Sequence, residues 1–103
     1  MFATVRRYEG IDASNVDELT KKVGESLAPR LSKLPGFSSY FLIDTGNGVM
    51  SSIGLFETSM QANESTRIAS EWVRDEKLEN ILQNPPKVTD GEVIVHKTNG
   101  HKA

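Results

Sequence analysis

The sequence predicts an α+β fold in which four antiparallel strands carry two helices on one face. Three observations predict this fold. Short β-rich segments lie near both ends of the chain, at residues 2–9 and 91–98. A glycine-rich linker at residues 45–48 joins two more apolar segments. The two remaining stretches have apolar residues at spacings of three and four, the period of an amphipathic helix.

The strands are predicted from alternation and from turn residues. Residues 2–9, FATVRRYE, place successive side chains on opposite faces of a strand. The segments FSSYFLID and VMSSIGLFE, residues 37–44 and 49–57, flank the linker Thr-Gly-Asn-Gly, whose composition is typical of a hairpin turn. The fourth strand is predicted at residues 91–98, GEVIVHKT, where Val and Ile alternate in direction.

The first helix is predicted over residues 12–34. Its apolar stripe consists of Val16, Leu19, Val23, Leu27, Leu31 and Leu34. Gly24 and Pro29 do not suit a straight helix, because proline lacks an N–H and its ring crowds the preceding turn. We therefore expect a kink or a break near residues 25–29, and we expect Pro35 to end the helix.

The second helix is predicted over residues 58–82, with Thr58 or Ser59 as its cap. Its apolar positions are Met60, Ile68, Ala69, Trp72, Val73, Leu78, Ile81 and Leu82. Pro85 follows it and stops it. Residues 99–103 are polar, and we expect them to form a disordered tail beyond a single domain at residues 1–98.

The resulting order, β-α-β-β-α-β, is the split βαβ or ferredoxin-like arrangement. Both middle strands are apolar on both faces. Phe37, Phe41 and Ile43 oppose Tyr40 and Leu42 on the second strand, and Val49, Ile53 and Leu55 oppose Met50 and Phe56 on the third. A sheet with one wet face alternates more strictly than this. We therefore expect a second copy of the chain to cover the outer face in a two-fold homodimer packed sheet to sheet.

Composition excludes several classes of function. The chain has 103 residues, a net charge of −2 and no cysteine. No overall positive field is present to attract nucleic acid or anionic lipid, and no apolar run is long enough to span a membrane. RNA-recognition motifs share the element order, but VMSSIGLF lacks their basic and aromatic residues at the stacking positions. The absence of cysteine and of a signal-peptide pattern at the start leads us to expect a cytoplasmic protein.

The motifs resemble those of the antibiotic biosynthesis monooxygenase-like family, whose members are dimeric α/β barrels. The resemblance covers about residues 2–98. It rests on Leu34-Pro35-Gly36-Phe37, the short glycine hairpin, Leu55-Phe56-Glu57-Thr58 and Ala69-Ser70-Glu71-Trp72, in this order. It implies the ferredoxin-like dimer and one of two known activities, haem degradation or quinone-forming oxygenation without a cofactor. Other relatives have no assigned activity, so the fold alone does not determine the function.

The haem-degrading branch is not supported by the residues. Its pattern requires an Asn on the first strand, a Trp on the second helix and a His about three turns after that Trp. Trp72 matches, but the Asn position falls near Arg6 or Arg7, and Ile81 and Leu82 lie near the His position. We therefore expect no haem and no other cofactor. Metal binding is not expected either, because His96 and His101 lie without a carboxylate cluster at ligand spacing.

Arg6 and Arg7 are the first candidate site residues. Adjacent strand residues point to opposite faces, so one guanidinium must face a covered side. A buried Arg needs an acidic partner or an anionic ligand. The structural alternative is an ion pair with an acid of this chain or of a dimer mate; the acids considered are Glu9, Glu57 and Glu92.

Aromatic residues and one histidine complete the candidate site. Trp72 and Phe56 are predicted to line a pocket, although Trp72 also lies on the apolar stripe of its helix. Tyr8 and Tyr40 can hydrogen-bond a ligand or satisfy their hydroxyls at an interface. His96 is a candidate general base, with a buried interface histidine as the alternative.

Two hypotheses follow. In the first, the homodimer binds a compact aromatic or polyketide-like molecule between sheet and helices and oxidises it without a cofactor. Arg6 or Arg7 would hold an anionic or enolate oxygen, and His96 or a tyrosine would handle the proton. In the second, the chain is a non-catalytic dimer that binds a ligand or a partner.

Overall fold

The computed structural model describes residues 1–98, which form a four-stranded antiparallel sheet covered on one face by helices. The elements are β1 (Phe2–Tyr8), a 3-10 turn (Ala13–Asn15), α1 (Val16–Lys22), a π-helical turn (Val23–Leu27), α2 (Ala28–Ser32), β2 (Phe37–Gly46), β3 (Val49–Phe56), α3 (Ser59–Asp75) and β4 (Lys87–Glu92). The strand order in the sheet is β2-β3-β1-β4, with every neighbouring pair antiparallel. The predicted fold class is confirmed.

Strand β1 lies inside the sheet, between β3 and β4, and its two faces differ. Thr4 and Arg6 are buried and bond to side-chain or backbone oxygens of α3. Arg7 points the other way and is exposed. The period-two pattern predicted for this strand is confirmed, and it places alternate side chains in the interior.

The first predicted helix is continuous from Val16 to Ser32, but it contains a π-helical turn. In this turn the Ala28 N–H donates to the Val23 carbonyl, five residues earlier. Pro29 then stands in the first turn of α2, directly after the π-helical turn. The predicted irregularity near residues 25–29 is therefore a widened turn at Val23–Leu27, and the helix does not break.

The hairpin between β2 and β3 has the predicted turn. Asn47 and Gly48 both have positive φ, 58° and 77°, as a two-residue type I′ turn requires. At the other end of β2, a register shift between Phe37 and Ser39 changes the face on which Phe37 lies. Phe37 was predicted on the face of Phe41, and this prediction is wrong: its ring packs edge-on against buried Phe56, with 5.8 Å between centroids.

Helix α3 begins as predicted and ends earlier than predicted. Thr58 and Gln61 form a reciprocal capping box at its start. The helix ends at Asp75, so the prediction of helix through residue 82 is wrong. Lys77 has φ 56°, and its backbone N–H donates to the Arg74 carbonyl, while the Leu78 N–H donates to the Val73 carbonyl. This is a Schellman ending, built here without the glycine that usually marks it in a sequence.

Strand β4 spans Lys87–Glu92, and the prediction of a strand at residues 91–98 is wrong beyond Glu92. The strand pairs only with β1, from Arg7 opposite Lys87 to Phe2 opposite Glu92. All its side chains are exposed, so backbone pairing determines its position and apolar alternation does not. The predicted disordered tail, residues 99–103, lies outside the described residues.

The interior lies between the helices and one face of the sheet. Its buried apolar residues are Ile11, Leu19, Val23, Leu27, Leu31, Met50, Ala69, Trp72 and Leu78. The outer face of the sheet is also apolar, as predicted: Phe41 is 52% exposed and Ile43 is 41% exposed. They pair with Ile53 and Ser51 of β3 on the same face.

Candidate functional site

The side chain of Arg6 is buried in the interior without an acidic partner. The residue is 2% exposed, and its Nη1 donates to Thr66 Oγ1 on α3 at 3.4 Å. Its Nε has no hydrogen-bond partner, and within residues 1–98 no carboxylate forms an ion pair with it. Arg7 behaves as the structural alternative predicted, because its Nε donates to Glu9 Oε2 at 2.8 Å. The two neighbouring arginines therefore have different environments.

Hydroxyl groups surround Arg6 in place of a carboxylate. Ser52 stands directly opposite Arg6 on β3, is 1% exposed, and its Oγ has no partner among the described residues. On α3, Thr66 Oγ1 accepts a hydrogen bond from Arg6 Nη1. A buried charge is costly unless it is paired and hydrogen-bonded. The cluster of Arg6 and Ser52 thus retains one donor and one hydroxyl that a ligand can satisfy.

Tyr8 and Tyr40 extend this cluster toward the helices. Burial raises the pKa of the Tyr8 hydroxyl, and the nearby positive charge of Arg6 opposes the rise. Burial also raises the pKa of Tyr40, and the positive charge of Arg6 again opposes the rise. Both hydroxyls therefore stay protonated near neutral pH. This favours them as hydrogen-bond donors and disfavours the role of proton acceptor for either tyrosine.

The two tyrosines also line a small apolar cavity between the sheet and the helices. Its volume is about 20 Å³, enough for one water molecule. The cavity is lined by Tyr8, Leu19, Val23, Leu27, Tyr40, Leu42, Met50, Trp72 and Leu82. Tyr8 and Tyr40 line this cavity, and both lie close enough to Arg6 for its positive charge to act on their hydroxyls. They therefore connect an apolar chamber with a buried cation.

Trp72 forms part of the cavity wall and of the core at the same time. The residue is 2% exposed, and its Nε1 donates to Ser26 Oγ at 2.9 Å. Ser26 lies in the π-helical turn, so the widened turn holds the only tryptophan of the chain in place. The ring is therefore fixed in orientation beside the cavity, as a flat wall for an aromatic ligand would need to be.

A larger open groove adjoins the cavity. Its volume is about 270 Å³, and Tyr8 and Leu82 line both the groove and the cavity. The remaining walls come from α3 and from the segment that follows it: Ser70, Val73, Glu79, Gln83, Asn84, Pro85 and Pro86. Tyr8 and Leu82 are therefore the residues at which the cavity and the groove adjoin.

Two residues predicted for the site lie elsewhere. Phe56 is fully buried at the far end of β3, packs against Phe37, and does not line the cavity. His96 is exposed and follows the end of β4, and it lines neither the cavity nor the groove. The structure does not bring His96 to Arg6.

Three residues of the site were not predicted as such. Ser52 carries no signal in the sequence, because only the strand register shows that it stands opposite Arg6. Thr66 and Ser26 act through contacts between elements, for which the sequence holds no local signal. Helical spacing alone could have placed Thr66 near the sheet, since it stands one turn before buried Ala69.

Neither a membrane span nor a metal site is found in the described part of the chain. Within residues 1–98 no helix is long and apolar enough to cross a membrane. In the same range no group of three or more carboxylate or imidazole side chains could hold a metal ion.

Comparisons with known proteins identify the fold. No family model matches the sequence, and no curated protein is similar to it in sequence. Among solved structures, a protein of unknown function from Nitrosomonas europaea is 17% identical, with 94% of this chain and 92% of that chain covered and a TM-score of 0.75. A monooxygenase from Streptomyces coelicolor, solved with nanaomycin D, is 17% identical over 94% and 92% of the two chains, with a TM-score of 0.68.

A third similar structure is a dimeric ferredoxin-like protein from an uncultured marine organism. It is 14% identical, with 95% of this chain and 98% of that chain covered and a TM-score of 0.68. Antibiotic biosynthesis monooxygenases are also among the similar structures. The chain therefore has the ferredoxin-like fold of the antibiotic biosynthesis monooxygenase-like proteins.

Replacing Arg6 should stabilise the protein. Arg6→Met removes an unpaired buried cation and keeps an apolar stem of similar length, so we expect the free energy of unfolding to rise by about 1–3 kcal/mol. Urea denaturation followed by circular dichroism measures the change.

Arg7→Met is the matched control, because Arg7 lies next to Arg6 in sequence but is exposed and paired with Glu9. We expect it to leave the free energy of unfolding unchanged, as exposed ion pairs contribute little. A clear loss of stability in Arg6→Met would show that the guanidinium is a structural group and is not held ready for a ligand.

Proposed function

We propose that this chain binds a compact aromatic molecule that carries an acidic oxygen, a phenol or an enol, between its sheet and α3. The observation that carries the proposal is the buried guanidinium of Arg6, which has no carboxylate partner within residues 1–98. An interior cation without a counter-charge lowers stability, so a charge that the ligand supplies is a physical reason for its presence.

The chemistry around Arg6 suits a phenolate oxygen. Protonated Tyr8 and Tyr40 donate hydrogen bonds to such an oxygen, and the positive charge of Arg6 stabilises its negative charge. The same charge lowers the pKa of a bound phenol, so the phenol binds as its anion and releases its proton to water. No histidine is needed for this step, which fits the exposed position of His96.

The shape of the interior suits an aromatic ring. Apolar side chains and the fixed indole of Trp72 form the cavity walls. The chamber of about 20 Å³ is smaller than a ring, so a ligand must displace part of the wall when it binds. The adjoining groove of about 270 Å³ provides the space from which it enters.

Binding should depend on the acidic proton of the ligand. We expect α-naphthol to bind about tenfold or more tightly than its methyl ether, because only the naphthol can supply an anionic oxygen; tenfold corresponds to ~1.4 kcal/mol. Arg6→Met should remove this preference, and Arg7→Met should keep it. Isothermal titration calorimetry measures all six combinations of the three proteins with the two ligands. Equal affinities of the naphthol and the ether for the unmodified protein would refute the proposal.

The second candidate function is oxidation of such a phenol without a cofactor. It is supported by the likeness to monooxygenases and by Arg6, since a phenolate is the electron-rich form that reacts with dioxygen. In this reaction one oxygen atom of dioxygen is added to the ring. The other oxygen atom leaves as water, together with the hydroxyl hydrogen and one ring hydrogen of the phenol. The product is a quinone.

Oxygen consumption tests this activity. With α-naphthol in air and no added cofactor, we expect one naphthoquinone to form for each dioxygen consumed, with no hydrogen peroxide. Arg6→Met should lower the rate to that of buffer, while Arg7→Met should keep it. A naphthol that binds and yet consumes no oxygen would identify the chain as a non-catalytic binding protein.

We also propose that two copies of the chain pack through the outer face of the sheet. Exposed Phe41 and Ile43 lie on this face with half-buried Val5, Ile53 and Leu55. A contiguous apolar patch of this kind marks an interaction surface, and a dimeric protein shares the fold. A second copy presents the same patch, so the surface is self-complementary.

Multi-angle light scattering tests the dimer. We expect a mass about twice the 11.4 kDa of the chain, and we expect Phe41→Asp to reduce it to a single chain because it places a charge in the apolar interface. Met60→Asp is the control: Met60 is 76% exposed on α3, on the helical side of the sheet, and its replacement should not change the mass. A single-chain mass for the unmodified protein would contradict the dimer.

A further inference from the structure

We infer that the site has two compartments. The inner one, the cavity, takes the acidic ring, and the outer one, the groove, takes a hydrogen-bond-donating substituent. Leu82 is the partition between them, and the size of its side chain limits access to the inner compartment. The inference rests on the proposed function for the ligand of the inner compartment. The position of the partition follows from the structure alone, because Leu82 and Tyr8 are the two residues that line both spaces.

Of these two residues, Leu82 is the one that can move without disturbing the sheet. Tyr8 belongs to β1 and pairs with Met50 of β3. Leu82 lies outside regular structure, in the segment between α3 and β4. A leucine side chain there can change rotamer on a fast timescale, whereas displacement of Tyr8 is restricted by its strand.

The backbone around Leu82 is held on both sides. Leu78 is 2% exposed and accepts the Leu82 N–H through its carbonyl at 2.8 Å. Two residues after Leu82, Asn84 Nδ2 donates to the Glu9 carbonyl at 3.0 Å. The segment is therefore anchored before and after Leu82, and the side chain of Leu82 can open the chamber while the backbone stays in place.

The groove presents hydrogen-bond acceptors to a substituent. The amide nitrogens of Gln83 and Asn84 already donate, to the carbonyls of Asn80 and Glu9. Their amide oxygens remain as acceptors, and the Glu79 carboxylate adds a further acceptor with a negative charge. Within residues 1–98 no lysine or arginine lines the groove. The outer compartment therefore suits an amino or hydroxyl substituent and repels an anionic one.

Acrylamide quenching of Trp72 fluorescence tests the partition independently of any ligand. Trp72 is the only tryptophan of the chain and lines the inner compartment. Leu82→Ala should open the chamber and raise the quenching constant by about twofold or more, because truncation of a packed leucine leaves space behind. Leu82→Phe should leave it at or below the original value.

Ile81→Ala is the matched control, since Ile81 is half-buried in the same segment but lines neither compartment. It should not increase quenching. If Leu82→Ala and Ile81→Ala give the same quenching as the unmodified protein, or raise it equally, Leu82 is not the partition and the inference is overturned.

The compartments are tested with three ligands in the calorimeter. An aminonaphthol should bind about fivefold more tightly than α-naphthol, the effect of one ordinary hydrogen bond, and a naphtholsulfonate should bind more weakly. Leu82→Phe should weaken all three. If the three naphthols bind with equal affinity, the assignment of the outer compartment is overturned. If quenching responds to Leu82 while no naphthol binds, the partition is supported and the proposed function fails.

Discussion

The burial of the Arg6 guanidinium without a counter-charge is the constraint on which the interior depends. Strand β1 lies between β3 and β4, so its inward side chains cannot reach water past a sheet edge. The charge must then be accommodated by neutral groups, and the register brings Ser52 opposite it while α3 brings Thr66 above it. The Thr66 hydroxyl reduces the cost of burial but does not remove it, because Arg6 Nε and Ser52 Oγ have no hydrogen-bond partner within residues 1–98. A protein selected for stability alone would place an apolar residue at this position.

The alternation of β1 links binding to assembly. Arg6 and Arg7 are adjacent, yet Arg6 is buried on the helical side of the sheet, whereas Arg7 lies on the outer face and pairs with Glu9. A one-residue shift of this strand would turn every side chain to the opposite face: Thr4 and Arg6 would leave the interior, and half-buried Val5 would leave the apolar patch of the proposed dimer interface. Both proposed surfaces therefore require the same register. The seven residue pairs that β1 forms with β3 maintain that register.

The parts of the structure that the sequence predicted are those determined by local chemistry. Alternation located β1, the Thr-Gly-Asn-Gly linker at residues 45–48 located the hairpin, and Thr58 or Ser59 was predicted as the cap at the start of α3. The end of α3 was missed because Lys77 adopts the left-handed conformation that glycine usually marks. Strand β4 was misplaced because its side chains are all exposed, so pairing with β1 decides its position. At the site, Arg6, Tyr8, Tyr40 and Trp72 were identified from residue type, whereas Ser52 and Thr66 depend on register and helix placement. His96 was assigned to a strand that ends four residues before it.

Regular and irregular segments contribute different properties to the site. The strands hold the charged and hydroxyl groups, Arg6, Ser52 and the two tyrosines, in positions that the sheet fixes. The shape of the chamber comes instead from the π-helical turn, which provides Val23, Leu27 and the anchor of Trp72, and from Leu82 in the segment after α3. A π-helical turn and an irregular connection can change in length or side-chain volume without altering the pairing of the sheet. A fold that separates charge from shape in this way can keep one mode of recognition for an acidic oxygen while adapting to ligands of different size.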